Sequence, residues 1–232
     1  MKKLGLLLLS IAMLTGCRST PFDAHSVIDW VDFIKWDGIQ YQGIHSGVLA
    51  DEADLGDKLG EVKFKVADNV TNPKYKIRNG DAAFHEKGTE IYAVDGYPNL
   101  IAVKSDQAIN GYKVYFNPDI DYQWHFQNVP LDKVSQIEVY QSQWPENDKL
   151  IQKISDAKNI EDFLNLLKNS TPNSSFQPAA NQGDPDYFDI ILYTDEPVAY
   201  KYGMQYDGKT FFWHPSDTAI LSGEMKNFVP VD

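Results

Sequence analysis

The sequence predicts an α+β fold that is mainly antiparallel β, a β-rich module at 27–117 followed by a sheet with one packed helix at 131–232. Three observations predict it. Short runs alternate apolar and polar residues at the two-residue period of a half-buried strand. Asp37-Gly38, Asn110-Gly111 and Asp207-Gly208 are dipeptides that hairpin turns favour, because the central residues need positive φ. One segment, with Ile160, Phe163, Leu164 and Leu167, has helical spacing instead. Aromatic residues form 13% of the chain, which suits strands.

In chain order, Met1-Lys2-Lys3 is a basic head and Leu4 to Met13 an apolar run. That run is too short for a permanent span, which needs about 20 apolar residues. It has the proportions of a secretory signal. Leu14-Thr15-Gly16-Cys17 closes it and matches the lipobox of bacterial lipoproteins, so residues 1–16 are expected to be removed and Cys17 to carry diacylglycerol. An ordinary signal with an incidental cysteine is the alternative. Residues 17–26 contain Pro21 and little pattern, as a tether would. Arg18 to Ser26, nine residues beyond the cysteine, reach about 30 Å when extended, which would hold the folded part close to the bilayer.

The first fold signal is Phe33 to Gln42. A two-residue loop at Asp37-Gly38 pairs Trp36 with Ile39 and Ile34 with Tyr41 on one face, and Lys35 with Gln40 on the other. Ala50 to Gly60 reads as an acidic connection. Glu61 to Val66 alternates strictly, with Val62, Phe64 and Val66 inward. A polar loop from Asp68 to Lys87 leads to strands at Ile91–Val94 and Leu100–Val103, joined through Gly96-Tyr97-Pro98-Asn99. Asn110-Gly111 then introduces Tyr112 to Phe116.

Three of these runs, Trp36-Asp37-Gly38-Ile39-x-Tyr41, Leu59-Gly60-Glu61-Val62-x-Phe64-x-Val66 and Gly88-Thr89-x-Ile91-Tyr92-x-Val94 with Gly96-Tyr97, resemble a pattern of uncharacterised lipoproteins of Gram-positive bacilli. The resemblance covers roughly residues 33 to 104 and implies a Gram-positive surface origin. It supplies no catalytic residues.

In the second half, Val134 to Tyr140 alternates as a strand and Leu150 to Ile154 is its expected partner. Asn159 is the expected N-cap of a helix with Glu161 and Asp162 in its first turn, which suits the helix dipole, ending near Lys168. Asn169 to Pro185 reads as a loop, either a flexible excursion or a lid. Tyr187–Tyr193 and Val198–Tyr202 are strands. A two-residue loop at Asp207-Gly208 would pair Met204 with Phe211 and Tyr202 with Trp213. Two Asp-Gly turns hint at duplication, but shared hairpin grammar explains them.

Composition bounds the partners. The chain has 21 basic and 33 acidic residues among 232; losing Lys2 and Lys3 leaves 19 against 33, a charge of −14. That argues against nucleic acid, whose binding depends on basic neutralisation of phosphates. It also argues against adhesion to anionic head groups, so membrane attachment must come from acyl chains. Cys17 is the only cysteine, and lipidation consumes its sulfur, which leaves no disulfide, Cys-based zinc site or thiol nucleophile.

No catalytic motif stands out in the sequence. His85-Glu86 lacks the second histidine of a zinc-protease helix, since Thr89 stands there. Gly43 to Gly47 lacks the glycine two before the serine that a nucleophile elbow needs. A glycosidase-type carboxylate pair is defined by spacing in space and stays open. Asp51, Asp54 and Asp57, and the Asn117 to Asp121 segment, offer oxygen ligands of the kind calcium takes, without EF-hand spacing; solvated loops are the alternative. Otherwise no cofactor is implied. Tyr112, Tyr115, Tyr122, Trp124 and Phe126 would stack on wall glycan if exposed and pack between modules if buried. The function expected from address and motif content is a non-enzymatic, lipid-anchored extracytoplasmic module binding an envelope component, preferentially a protein. The alternatives are a glycan-binding or hydrolase-type protein, or a solute-binding lipoprotein.

Overall fold

Asp37 and Gly38 take φ of 42° and 80°, and the chain folds back there as the dipeptide predicts. β1 (Phe33–Trp36) pairs with β2 (Ile39–Gly43) in the expected register, Trp36 opposite Ile39 and Ile34 opposite Tyr41. The computed structural model containing this hairpin describes residues 28–120, 122–123, 125–143, 146–179 and 183–231. The signal segment, Cys17, the tether and Trp124 lie outside the described residues.

The hairpin is part of an eight-stranded sheet. Its other members are β4 (Leu55–Glu61), β5 (Phe64–Lys65), β6 (Asp81–Ala82), β7 (Glu90–Val94), β8 (Leu100–Lys104) and β9 (Tyr112–Phe116). The order is β4-β7-β8-β9-β2-β1-β6-β5, antiparallel except for the β5–β6 pair. Val62 and Val66 are buried, as alternation requires, although only Phe64 and Lys65 between them pair. Two expected connections contain strands. Leu55 to Glu61 is an edge strand against β7, irregular in register and mostly exposed, so its sequence carries no apolar alternation. Asp81-Ala82 lies buried inside the expected polar loop and pairs with β1 through Ile34 and Ala82.

A second sheet contains β10 (Gln136–Gln141), β11 (Lys149–Ile154), β12 (Thr171–Pro172), β13 (Asp186–Tyr193), β14 (Val198–Tyr206), β15 (Phe211–Trp213) and β16 (Ala219–Ile220). They follow the order β11-β10-β13-β14-β15-β16-β12, all antiparallel. β12 lies inside the segment expected to be a loop and closes the sheet against β16. The helix α1 (Ala157–Lys168) ends where expected but starts earlier. Asp156, not Asn159, is its cap: the Asp156 carboxylate accepts from the Asn159 N–H, so the cap's backbone partner, not the cap itself, was the predicted residue. Ile160, Phe163, Leu164 and Leu167 are buried against Ile137, Val139, Ile154, Phe188 and Ile190 of the sheet. Each such side chain contributes about 1.5–3 kcal/mol.

The turn at Asp207-Gly208 differs from the expected one. Tyr206 pairs with Phe211 and Met204 with Trp213, a shift of two residues, and the loop is four residues long. Only Gly208 has positive φ. The Asp207 carboxylate accepts from the N–H groups of Lys209, Thr210 and Ala179, which widens the turn. A two-residue shift preserves parity, so Tyr202, Met204 and Trp213 still face one core.

β3 (Gly47–Leu49) leaves the first half of the chain and pairs with the start of β14. Its Leu49 shares a buried cluster with Val94, Leu100 and Val114 of the first sheet and Val198 of the second. Asn110, at φ 60°, adds a polar tie: its side-chain amide donates to the Leu49 carbonyl and the Tyr193 hydroxyl. Because Leu100 and Val198 begin their strands in the same core, the turns just before β8 and β14 emerge side by side.

Candidate binding cleft

Those two turns wall an open cleft of about 430 Å³. The turn before β8 gives Tyr97, Pro98 and Asn99, the turn before β14 gives Glu196 and Pro197, and Tyr200 follows on β14. Ile120, Tyr122 and Pro130 come from the chain between the two sheets. The lining is mostly apolar with a few polar groups, and the volume falls in the range of small-ligand sites, about 300–1,000 Å³. Leu100 and Val198 form the buried floor, Tyr97 stands 37% exposed at the rim, and Tyr122 and Tyr200 are half-buried.

Glu196 organises the polar side of the cleft. It accepts a hydrogen bond from the Tyr97 hydroxyl. That bond, with partial burial and the carboxylate charge, pushes the Tyr97 pKa up to about 12. Burial raises the Tyr122 and Tyr200 pKa values, and the Glu196 charge adds to both. All three phenols therefore stay protonated around one carboxylate. Lys133 also bears on Tyr200, but it is paired with Asp195 at 3.2 Å.

Among the described residues, Tyr122 is the aromatic site residue expected from sequence that the structure brings into this cleft, and it also lines an adjacent cavity of about 310 Å³ beside Asp32 and Phe116. Tyr112 and Tyr115 are buried and line a smaller cavity of about 190 Å³. Tyr112 donates to Glu52 and packs edge-on against Tyr92. Tyr115 gives its single proton to buried Asp32 at 2.9 Å, so His85 Nε2, 2.6 Å from the same oxygen, must be the donor in that contact. Burial raises the Tyr115 pKa and lowers that of His85, which fixes a neutral imidazole and a bound phenol. This arrangement ties the residue just before β1 and the His85 segment to β9.

Of the three aspartates expected as calcium ligands, two bond the backbone. Asp51 accepts from the Ala53 N–H, and Asp54 accepts from the Asp51 N–H, a reciprocal cap on a single helical turn. Asp57 is exposed on β4. Among the described residues no group of three or more His, Cys, Asp or Glu side chains is placed to hold a metal ion. No described helix is long and apolar enough to cross a membrane.

Sequence reasoning missed Tyr97, Tyr200 and Glu196 as site residues. Their convergence depends on β8 and β14 sharing a core, and no local pattern encodes that. The only available signal was the excess of tyrosine. Comparison with protein-family models, with curated proteins and with solved structures gives no match.

Proposed function

We propose that the chain is a lipid-anchored extracytoplasmic protein that binds a component of the bacterial envelope through the Tyr97–Tyr122–Tyr200 cleft, without catalysing a reaction. The observation carrying this reading is the cleft itself: among the described residues, three tyrosines and three prolines form a shallow, mostly apolar wall around the Glu196 carboxylate. Tyrosine provides large, rigid contact area at low conformational cost, which is why it recurs at recognition surfaces. The address rests on Leu14-Thr15-Gly16-Cys17 and on the resemblance to lipoproteins of Gram-positive bacilli. In this reading residues 27–117 and 131–232 act as two modules joined by one shared core, and the cleft opens along their seam. Cell-wall glycan is the second reading, favoured by the aromatic lining, since sugar rings stack on tyrosine faces.

Two measurements test the proposal. Cys17→Ala should abolish the diacylglyceryl mass increment and release the protein from membranes. A photo-crosslinking side chain at position 97 should then give one discrete adduct in intact envelopes. Unchanged partitioning refutes the address; a position-97 adduct pattern identical to that from exposed Tyr187 refutes the site.

A further inference from the structure

We propose that the cleft grips its ligand by an organic ammonium group, held between the walls of Tyr97, Tyr122 and Tyr200 and the carboxylate of Glu196. This rests on the reading of the cleft as the binding site and adds the chemistry of what enters it. Aromatic rings attract cations through the negative charge on their faces, and tyrosine cages closed by a carboxylate are a recurrent way of holding ammonium ions. Here three phenols line one cavity of about 430 Å³, and among the described residues the carboxylate lining it is Glu196. Glu196 is half-buried, so its charge is less screened than that of a fully exposed residue.

The electrostatic surroundings point the same way. Asp54, as well as Glu196, bears on Tyr97, and Asp195 does so with its charge offset by Lys133, so the rim is net negative. Lys133 makes its ion pair with Asp195, 3.2 Å away, and feels the Glu196 charge only as a weaker through-space attraction. An anionic ligand would meet repulsion from these groups and from a chain of formal charge −12. A neutral apolar ligand would be tolerated by the walls but would bury Glu196 without a counter-charge, which is costly. A cation resolves both problems at once.

The test is a binding titration of the full chain in detergent, followed by tyrosine resonances or calorimetry. The probes are choline, ethanolamine and the neutral carbon isostere of choline, in which carbon replaces the nitrogen. Choline or ethanolamine should bind saturably and at least about tenfold tighter than the isostere, since cation–π contacts combine with the carboxylate attraction. Whichever of the two binds better identifies the ligand as quaternary or primary ammonium. Glu196→Gln keeps an acceptor for the Tyr97 hydroxyl and so keeps the fold, and should narrow the gap between choline and the isostere to the part the three tyrosine rings supply. Raising salt should weaken cation binding to the wild type more than to the variant. Equal binding of choline and isostere, or an unchanged affinity in Glu196→Gln, overturns the ammonium inference. Absence of binding by all three probes also overturns it. Retention of envelope fragments by wild type but not by Tyr97→Ala would then show that the cleft itself still serves as the site for a different ligand.

Discussion

Glu138 is 6% exposed on β10, on the face of the second sheet turned away from α1. One carboxylate oxygen accepts from Tyr140 and Tyr193, both at 2.8 Å, and the other from Gln136 at 3.0 Å and Lys153 at 3.1 Å. Glu138→Gln keeps the shape, and its amide oxygen can still serve the two tyrosines. The amide NH₂ then faces Gln136 and Lys153, and Lys153, half exposed, turns to water. Hydrogen bonds to a charged group are worth about 1.5–3 kcal/mol and neutral ones about 0.5–1.5 kcal/mol. Downgrading two bonds and losing one ion pair therefore costs about 2 kcal/mol. That is about 4–8 °C in Tm for a chain of this size. The pH dependence gives the sharper check. Burial alone would raise the Glu138 pKa, but the donors Tyr193, Tyr140 and Lys153 outweigh it and hold it below the usual carboxylate range. The stability it supplies is thus complete above the unfolded-state value of about 4.3 and disappears as pH falls through the lower folded value. In urea titrations from neutral to acid pH, the gap between wild type and variant should be constant down to about pH 5 and close below about 4. A zero gap at neutral pH, or one undiminished in acid, refutes the reasoning.

Two further perturbations test the packing. A Cβ at Gly60 would come within 2.8 Å of Trp36 Cζ2, so Gly60→Ala should cost about 1–3 kcal/mol in wild type and under about 0.5 kcal/mol in a Trp36→Leu background. Urea titration of all four proteins measures this, and an equal cost in both backgrounds contradicts it. Asp207→Ala removes the acceptor for three backbone N–H groups and should cost about 2–4 kcal/mol, with Asp207→Asn recovering part of it. The backbone donors outweigh burial and hold the Asp207 pKa low, so its contribution should also fade as pH falls below the normal aspartate range; a penalty independent of acid refutes the turn's electrostatics.

Local chemistry was legible where the sequence contains its own register. Asp37-Gly38 predicted the β1–β2 pairing residue by residue because two positive-φ positions and matched alternation agree. The helix was legible through Ile160, Phe163, Leu164 and Leu167, whereas its start was ambiguous because Asp156 and Asn159 are both good caps. Asp207-Gly208 looked like the first turn, yet a side chain accepting three N–H groups lengthened the loop, and dipeptide grammar does not include that. β3, β6 and β12 are two or three residues long, too short to show any period, and their pairing is decided by partners far along the chain. β4 is hidden for another reason: as a charged edge strand with two glycines it has no buried face to pattern. The cleft was the least legible feature. Tyr122 was flagged by aromatic density alone, while Tyr97, Glu196 and Tyr200 acquire meaning only once Leu100 and Val198 are packed together.

The central claim is that one aromatic cleft, and not the surface at large, meets the envelope. Co-sedimentation of the Cys17→Ala protein with isolated envelope fragments measures this without the confounding anchor. The account predicts saturable retention that falls at least about tenfold in Tyr97→Ala and Tyr200→Ala, as loss of aromatic anchors at a recognition site does. Tyr187→Ala, exposed at the opposite end of β13, should be retained like the parent. Equal retention of all three variants would contradict the account.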